Sequence, residues 1–476
     1  MREFANQYAK FLDESPSPYH AVASLEQLFA AAGFAKVDLQ ADFPNTPGGF
    51  YAEKNGAFAA WITPERPVRE FRIFGCHTDS PALMLKPVPQ SQSPDGFGLL
   101  EVEVYGAPLI NSWLDRELQI AGIVFTRSEN PQGKPVARLV STPPVARIPQ
   151  LAIHLDRQSN QQGLKLDLQQ HVHPIWTLNQ GTRQTTNQAA EGDFANAVGK
   201  QLSVSILDYV AKHAGLSSAE EILAHELYLY PSEPAGFFGD DNQFLAARRQ
   251  DNLSSTFVGA RALLASCSQV PGAISTPLSG AAAPASSTIT PDSKDAANAR
   301  ATFCPIFVAF NHEEIGSSTT VGAGGPFLGN LLERICLSQN LGTEARQQVL
   351  ERSFLISGDA GHSVHPNYPE RADTTARPVL GQGPILKINA DQRYATSGRT
   401  IARWNRLCET AGIKSQVFAS NNNQPCGSTI GPISATRLGI DTVDVGIGLL
   451  SMHSTREMTH IADPYLFAQV ITAFWR

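Results

Sequence analysis

The segment that decides the fold is the apolar run Phe303–Phe310 (FCPIFVAF), which is followed directly by Asn311, His312, Glu313 and Glu314. A short apolar run of this kind is typical of a strand that is buried on both faces. Two adjacent acids usually form a solvated charge pair, but these two stand where a buried strand ends. The segment therefore predicts a buried strand that leads into a functional site.

Three other apolar runs also lead to a residue of a metal-ligating type. They are Phe71–Gly75 before His77, Ser353–Ser357 before Asp359, and Thr442–Gly448 before His453. Helices are predicted between the runs, over 253–266 and 327–336. Alternating strands and helices indicate a largely parallel sheet, and such sheets bind ligands at the carboxyl ends of their strands. Asp251 differs from the other candidates, because it stands just before the helix that begins at Leu253.

Length and composition exclude several classes of protein. A chain of 476 residues exceeds the usual size of one hydrophobic core, so two domains are expected. A net charge of −7 argues against a nucleic-acid partner, and no apolar run approaches the roughly 18 residues of a membrane-spanning helix. Six dispersed cysteines without a Cys-x-x-Cys pair, and an N-terminus without a signal-peptide core, predict a cytoplasmic protein.

The chain between about 88 and 230 has a different pattern. Leu100, Val102 and Val104 alternate with Glu101 and Glu103, as in a strand with one solvated face. We interpret this region as a β-rich domain inserted into an α/β domain, whose mixed, mostly parallel sheet is flanked by helices. The predicted boundaries are 1–87 and 232–476 for the α/β domain, and 88–231 for the insert.

Three further stretches have a less regular composition. A helix is predicted over 194–213, the one long periodic segment of the insert. The Gln/Asn-rich span 158–188 is predicted to be a mobile loop. The span 271–300 is rich in Ala, Ser, Thr and Pro, and it is predicted to be a solvated surface insertion.

The residue types predict a pair of divalent metal ions. Two ions about 3.5–4 Å apart clamp a carbonyl group and a water molecule, and this arrangement needs one bridging carboxylate. Asp251 is the candidate bridge, because it stands alone among small polar neighbours at the start of a helix. His77 and Asp359 are then candidate ligands of one ion, and Glu314 and His453 of the other.

The same residue types favour zinc. Zinc prefers imidazole and carboxylate ligands of this kind and lowers the pKa of a bound water to about 7. We therefore expect two Zn²⁺ per subunit, although Mn²⁺ or Co²⁺ fit the same ligand types. Asp79 stands two residues after His77, where it can accept the second ring N–H and fix the tautomer. Glu313 is then available as the general base.

Each of these residues also has an ordinary structural explanation. His77 and His453 alone are typical strand-end histidines, and Asp251 alone is typical of an acid at a helix N-terminus. The run after His312 lacks the second histidine of a His-Glu-x-x-His helix, which excludes that single-zinc mechanism. The residue types alone leave Glu313 and Glu314 nearly equivalent as candidates for the two roles of metal ligand and general base.

The chain resembles the aspartyl aminopeptidase family of metallopeptidases over nearly its full length. The matching blocks are Ser15–Ala21, His77–Pro81, Arg249–Leu253, Asn311–Ser317, His362–Tyr368, Cys426–Pro432 and Met452–Ser454. So many blocks in the same order are a highly specific signal. The resemblance implies a zinc exopeptidase that removes acidic N-terminal residues from peptides.

The resemblance also implies roles for individual residues. The implied metal ligands are His77, Asp251, Glu314, Asp359 and His453. It assigns Glu313 to proton transfer and Asp79 to the support of His77. His362 and Lys387 fall where similar enzymes line the substrate pocket, and His154 matches a residue that reaches a neighbouring subunit's active site. The insert is implied to form dimers, which assemble into a hollow dodecamer.

Two positions depart from the family pattern. Asn421 and Asn423 stand where relatives usually carry an arginine and an aspartate, a change that affects the charge of this loop and leaves the ligand set intact. The span 271–300 is also longer than usual, which a surface loop tolerates. Two alternatives stay open: an aminopeptidase that prefers neutral residues such as leucine, and a noncatalytic assembly or cargo-binding protein with the same fold.

Overall fold

The computed structural model describes residues 1–128, 130, 132–178, 204–267 and 302–476. The helices in these ranges are α1 (Arg2–Asp13), α2 (Pro18–Ala31), α3 (Ser159–Gln162), α4 (Ile206–His213), α5 (Gln250–Ser266), α6 (Phe327–Ser338), α7 (Thr343–Arg352), α8 (Gly398–Ala411), α9 (Ile430–Leu438) and α10 (Ala462–Phe474). Chain contacts divide the protein into two compact units. One unit comprises Met1–Ser80 with Ala235–Arg476, and the other comprises Pro81–Pro234.

The strands alternate with these helices in the first unit and dominate the second. They are β1 (Ala35–Lys36), β2 (Gly48–Lys54), β3 (Ala57–Thr63), β4 (Glu70–His77), β5 (Ala82–Gln92), β6 (Phe97–Tyr105), β7 (Glu117–Thr126), β8 (Val136–Ser141), β9 (Ala146–Arg147), β10 (Ile175–Leu178), β11 (Ile222–Pro231), β12 (Gly236–Phe238), β13 (Phe244–Ala247), β14 (Phe303–Phe310), β15 (Phe354–Gly358), β16 (Gly361–His362), β17 (Ile385–Ile388), β18 (Gln416–Ala419), β19 (Asp441–Gly446), β20 (Gly448–Leu449) and β21 (Glu457–His460).

The first unit is built on a mixed, mostly parallel sheet of nine strands, as predicted. Its order is β1-β2-β3-β14-β4-β15-β19-β17-β18, and its four central strands, β14, β4, β15 and β19, are parallel. The register pairs Phe310 with His77, and Ser357 with both Gly75 and Asp444. The ends of the central strands therefore meet at one edge of the sheet.

Alternate residues of the central strands point to opposite faces, and both faces are buried. Phe74 and Phe307 pack into one apolar cluster with α5 and α10, while Ile73 and Ile306 pack into another with α6. Burial of each such side chain contributes roughly 1.5–3 kcal/mol. This two-sided burial explains why the strand sequences are nearly continuous apolar runs.

The second unit contains a seven-stranded sheet in the order β11-β5-β6-β10-β9-β7-β8, in which β11 also pairs with β7. The hydrogen-bonded order therefore closes on itself. In β6, Leu100 and Val102 are buried whereas Glu103 is exposed, in agreement with the alternation in the sequence. Residues 81–234 form this unit, where the sequence predicted an insert over 88–231.

The prediction of a loop over 158–188 is wrong for Ile175–Leu178. This short apolar segment forms β10, which pairs with β6 and β9 and so helps to close the sheet. Its strand signal was obscured by the surrounding Gln/Asn-rich sequence. The predicted helix over 194–213 is described from residue 204 and contains α4. Residues 271–300 lie outside the described ranges.

Candidate metal centre

The five candidate ligands converge at the carboxyl edge of the central strands. His77 is the last residue of β4, and Asp359 directly follows β15. Glu314 lies in a single 3-10 turn after β14, and His453 lies between β20 and β21. Asp251 stands at the start of α5, where its backbone is not yet helical. Sequence positions up to 376 residues apart are thus brought together by the strand order.

Asp251 lies at the middle of this cluster. Its Oδ1 is 3.6 Å from His77 Nε2, and its Oδ2 is 3.3 Å from His453 Nε2. His77 Nε2 also lies 3.4 Å from Asp359 Oδ1, and His453 Nε2 lies 3.5 Å from Glu314 Oε2. The two oxygens of Asp251 therefore face two separate pairs of side chains.

Two triads with metal-ligand geometry share this carboxylate. One consists of His77, Asp251 and Asp359, and the other of Asp251, Glu314 and His453. A third grouping joins His77 with Glu313 and Glu314. Glu313 Oε2 lies 3.9 Å from His77 Nε2, so its carboxylate is next to the first triad without belonging to it.

The buried Asp79 carboxylate connects His77 to the two glutamates. Its Oδ1 is 3.3 Å from His77 Nδ1 and accepts a hydrogen bond from the backbone N–H of Glu313 at 3.1 Å. Its Oδ2 accepts from the N–H of Glu314 at 3.0 Å. A carboxylate in this position orients the imidazole ring and fixes the turn that carries both acids.

The Glu457 carboxylate also accepts two backbone hydrogen bonds from the cluster, and no role was predicted for it from the sequence. It is 1% exposed, and its carboxylate accepts from the N–H groups of Asp251 at 3.0 Å and His453 at 2.8 Å. Its position four residues after His453 was visible in the sequence. Its contact with Asp251, 206 residues away, was not.

Burial, together with neighbouring charges, raises the pKa values of several acids in the cluster. Burial, and then the charges of neighbouring acids, raise the pKa of Glu313 to about 8 and that of Glu314 well above its usual range. Burial and the Asp251 charge also raise the pKa of Glu457 to about 8. The cluster therefore concentrates negative charge that a bound cation offsets.

Asp359 has the opposite environment. Burial alone raises its pKa, but the neighbouring Lys387 ammonium group and hydrogen bonding with His77 hold the pKa below its usual range. Lys387 Nζ lies 3.4 Å from Asp359 Oδ2 and donates to the carbonyl oxygen of Ala360 at 2.6 Å. This carboxylate is ionised, as a metal ligand must be.

The cluster passes a direct test of its fit to metal ions. Among the described residues, Asp251 Oδ1 and Glu314 Oε1 are buried oxygens with no hydrogen-bond partner. Buried carboxylate oxygens of this kind are costly unless a cation or a donor satisfies them. With two imidazoles and three carboxylates at ligand spacing, the donor set fits zinc.

The predicted substrate residues have different environments. Lys387 is 2% exposed and paired with Asp359. The exposed His362 lies in the wall of a cavity of about 470 Å³, together with Asn421. Asn423 donates its N–H to Asn421 Oδ1 at 2.9 Å. His154 is exposed in a turn of the second unit.

Comparisons with known proteins identify the family of the chain. The model of the aminopeptidase I zinc metalloprotease family (M18) matches residues 11–275 and 283–475. A probable M18 family aminopeptidase 2 from Streptomyces avermitilis is 40% identical over 476 residues, which are 99% of this chain and 98% of the relative. In the part of the chain that the structure describes, no helix is long and apolar enough to cross a membrane.

Solved structures share the fold over the whole chain. A chain in a cryo-EM structure of an Ape4 and Nbr1 complex is 30% identical, with a TM-score of 0.85 and coverage of 100% of this chain and 85% of that chain. A chain of the S. cerevisiae mApe1 dodecamer is 25% identical, with a TM-score of 0.77 and coverage of 99% and 95%. The fold and the family match define a metallohydrolase. The chain belongs to the M18 family and is a zinc aminopeptidase.

Proposed function

We propose that the protein uses two zinc ions per subunit to remove acidic N-terminal residues, aspartate or glutamate, from peptides. The observation that carries the two-ion proposal is the position of Asp251, whose two carboxylate oxygens face different triads. His77 and Asp359 would hold one ion, and Glu314 and His453 the other. Zinc bound there supplies Lewis acidity that polarises the substrate carbonyl and lowers the pKa of water.

The proposed proton carrier is Glu313. Its carboxylate lies beside the first triad and is 17% exposed, so a water molecule can reach it. Glu313 accepts a proton from the attacking water while the water oxygen bonds to the carbonyl carbon. It then gives the proton to the leaving amine as the C–N bond breaks.

Asp79 and Glu457 would position the reacting groups. Asp79 holds the backbone on both sides of the bond between Glu313 and Glu314, so the two side chains leave the turn in fixed and different directions. Glu457 holds the backbone of Asp251 and His453 in the same way. These contacts support the assignment of different roles to the two adjacent glutamates.

Zinc content and substrate preference test the proposal together. The purified protein should contain two zinc ions per subunit by elemental analysis, and chelation should abolish turnover that added zinc restores. Peptides beginning with Asp, Glu, Leu and Ala should be cleaved in that order of preference, acidic before neutral. One zinc ion per fully active subunit would contradict the two-ion mechanism. Faster cleavage of leucine peptides would instead support the neutral-residue alternative.

We also propose that the unit formed by Pro81–Pro234 pairs subunits into dimers that assemble into a dodecamer, with His154 contributing to a neighbouring active site and His362 to substrate binding, while Lys387 acts through its ion pair with Asp359. The proposal is supported by the dodecameric state of the S. cerevisiae relative. It is also supported by exposed apolar side chains beside His154, where Leu151 is 63% and Leu155 is 75% exposed.

Light scattering on the double variant Leu151→Asp with Leu155→Asp tests the assembly. We expect smaller particles and a parallel loss of activity, because each subunit would lack a residue from its neighbour. The matched variant Leu337→Asp changes another exposed leucine, in α6, and should preserve assembly. A fully active monomer would contradict the proposal.

A further inference from the structure

A cavity of about 470 Å³ lies in the first unit beside the ligand cluster. Its wall includes Met452, which precedes His453 in the chain, and His362, whose imidazole is close enough for its pKa to respond to Asp251 and His453. Other parts of the wall come from the segments 371–378 and 418–427. A substrate bound at the cluster can therefore extend a side chain into this cavity.

Arg371 supplies the positive charge of this cavity. Among the wall residues that the structure describes, it is the sole lysine or arginine. The one acidic wall residue, Asp373, accepts hydrogen bonds from the N–H groups of Thr375 and Ala376 and from the Thr375 hydroxyl. Its carboxylate is thus engaged in its own turn.

Lys387 does not provide a second cation in the cavity wall. Its side chain is 2% exposed, and its ammonium group contacts Asp359 and the carbonyl oxygen of Ala360. The cavity wall does not include it. The charge of Lys387 is therefore compensated by Asp359, a candidate metal ligand, rather than presented to the cavity.

Asn421 holds the chain on both sides of Arg371. Its side-chain amide donates to the carbonyl oxygens of Glu370 at 3.0 Å and Ala372 at 3.1 Å. The guanidinium group of Arg371 contacts Gln424 Oε1 at 3.5 Å and Glu370 Oε1 at 3.6 Å. The Glu370 pair is 64% exposed on both sides, so solvent weakens it. The carboxylate of a substrate inside the cavity can therefore take the place of Glu370 beside Arg371.

We propose that Arg371 binds the side-chain carboxylate of an acidic N-terminal residue and so determines the specificity of the enzyme. The inference rests on the proposed function, because it explains how the same site would prefer aspartate and glutamate. A guanidinium group binds a carboxylate through two parallel hydrogen bonds, which a neutral side chain cannot match. The two asparagines that depart from the family pattern then belong to the loop that orients this arginine.

The test compares kcat/KM for Asp-, Glu- and Leu-p-nitroanilide in the wild-type protein and in three variants of Arg371. Arg371→Gln should reduce turnover of the acidic substrates about 10- to 100-fold and leave the leucine substrate within about twofold. Arg371→Lys should retain part of the preference, and Arg371→Glu should reverse it. Arg406→Gln is the control, because Arg406 is 82% exposed and pairs with Glu409 on α8.

The possible outcomes separate this inference from the proposed function. A wild-type protein that prefers leucine contradicts the acidic preference itself. A wild-type protein that prefers acidic substrates, with Arg371→Gln retaining that preference, overturns the role of Arg371 alone. Equal losses on all three substrates also overturn it, and unchanged zinc content in each variant excludes damage to the cluster.

Discussion

The ligand cluster and the adjacent cavity are built in different ways, although they lie side by side in the same unit. His77, Glu314 and Asp359 stand at the ends of buried parallel strands, and Asp251 stands at the start of α5; His77 and Asp251 are 1% and 5% exposed. The cavity wall comes largely from irregular segments, and the Arg371 side chain is 64% exposed. If the proposed roles are correct, the chemical step depends on the register of the sheet, whereas discrimination between substrates depends on loops. Substitutions in the two regions should have separable effects.

The largest effect is expected inside the cluster. Glu313→Gln removes the proton carrier but keeps the size of the side chain, so turnover should fall about 10²- to 10⁴-fold while zinc content is unchanged. Glu314→Gln should instead reduce the occupancy of one ion, and excess zinc should partly restore activity. Elemental analysis and initial rates on both variants decide the matter. Loss of zinc in Glu313→Gln alone would reverse the two roles.

The next effect concerns the carboxylate that holds the cluster together. Glu457→Gln replaces one carboxylate oxygen with an NH2 group, so one of the two N–H groups of Asp251 and His453 loses its acceptor, and zinc affinity should fall about 10- to 100-fold. Asp463→Asn is a matched control. Asp463 is also buried and accepts from two backbone N–H groups, but those belong to Gly381 and Gly383. Equal zinc affinity in the two variants would refute a specific role for Glu457.

A smaller effect is expected where two central strands leave no room for a side chain. A Cβ atom at Gly446 would lie 1.7 Å from the carbonyl oxygen of Asp359. Gly446→Ala should therefore lower the free energy of unfolding by about 1–3 kcal/mol and displace Asp359. Gly398→Ala, at a position with nothing within 4 Å, is the control. Urea denaturation measures the free energy of unfolding of both variants. An unchanged value for Gly446→Ala would contradict the close packing.

The smallest effect is expected in the cavity loop. Asn421→Ala removes the two hydrogen bonds that flank Arg371, each worth about 1 kcal/mol. KM for Asp-p-nitroanilide should rise several-fold, while zinc content and turnover of the leucine substrate stay unchanged. If the variant loses zinc, the loop and the cluster are coupled and the separation described above is wrong.

The central strands were predictable because a strand that is buried on both faces is a continuous apolar run, and such a run is visible in the local sequence. The apolar run Phe303–Phe310 is β14 without change, and the run before His77 became Glu70–His77. The helix predicted over 253–266 begins at Gln250, with non-helical backbone at Asp251 and Asn252. A short strand such as Ile175–Leu178 was missed, because four residues in a polar context carry too weak a pattern.

The candidate site was predictable in its residue types and less so in its contacts. Ligand-type residues at strand ends pointed to one edge of the sheet, where the described cluster lies. The sequence offered no reason to connect Glu457 with Asp251, or Lys387 with Asp359, because these contacts depend on strand order. The roles of the cluster residues, the acidic preference, the cytoplasmic location and the dodecamer stay predictions until the experiments are done.

The sequence by itself determined which segments are buried strands and which residue types follow them, because hydrophobic periodicity and residue chemistry are local properties. The tertiary structure alone decided that both oxygens of Asp251 face different triads, that Asp79 and Glu457 each hold two ligand-bearing segments, and that Arg371 reaches the cavity. These facts depend on the register of β4, β14, β15 and β19 and on loops from distant parts of the chain. Relative positions of that kind arise only when the whole sheet is assembled and packed.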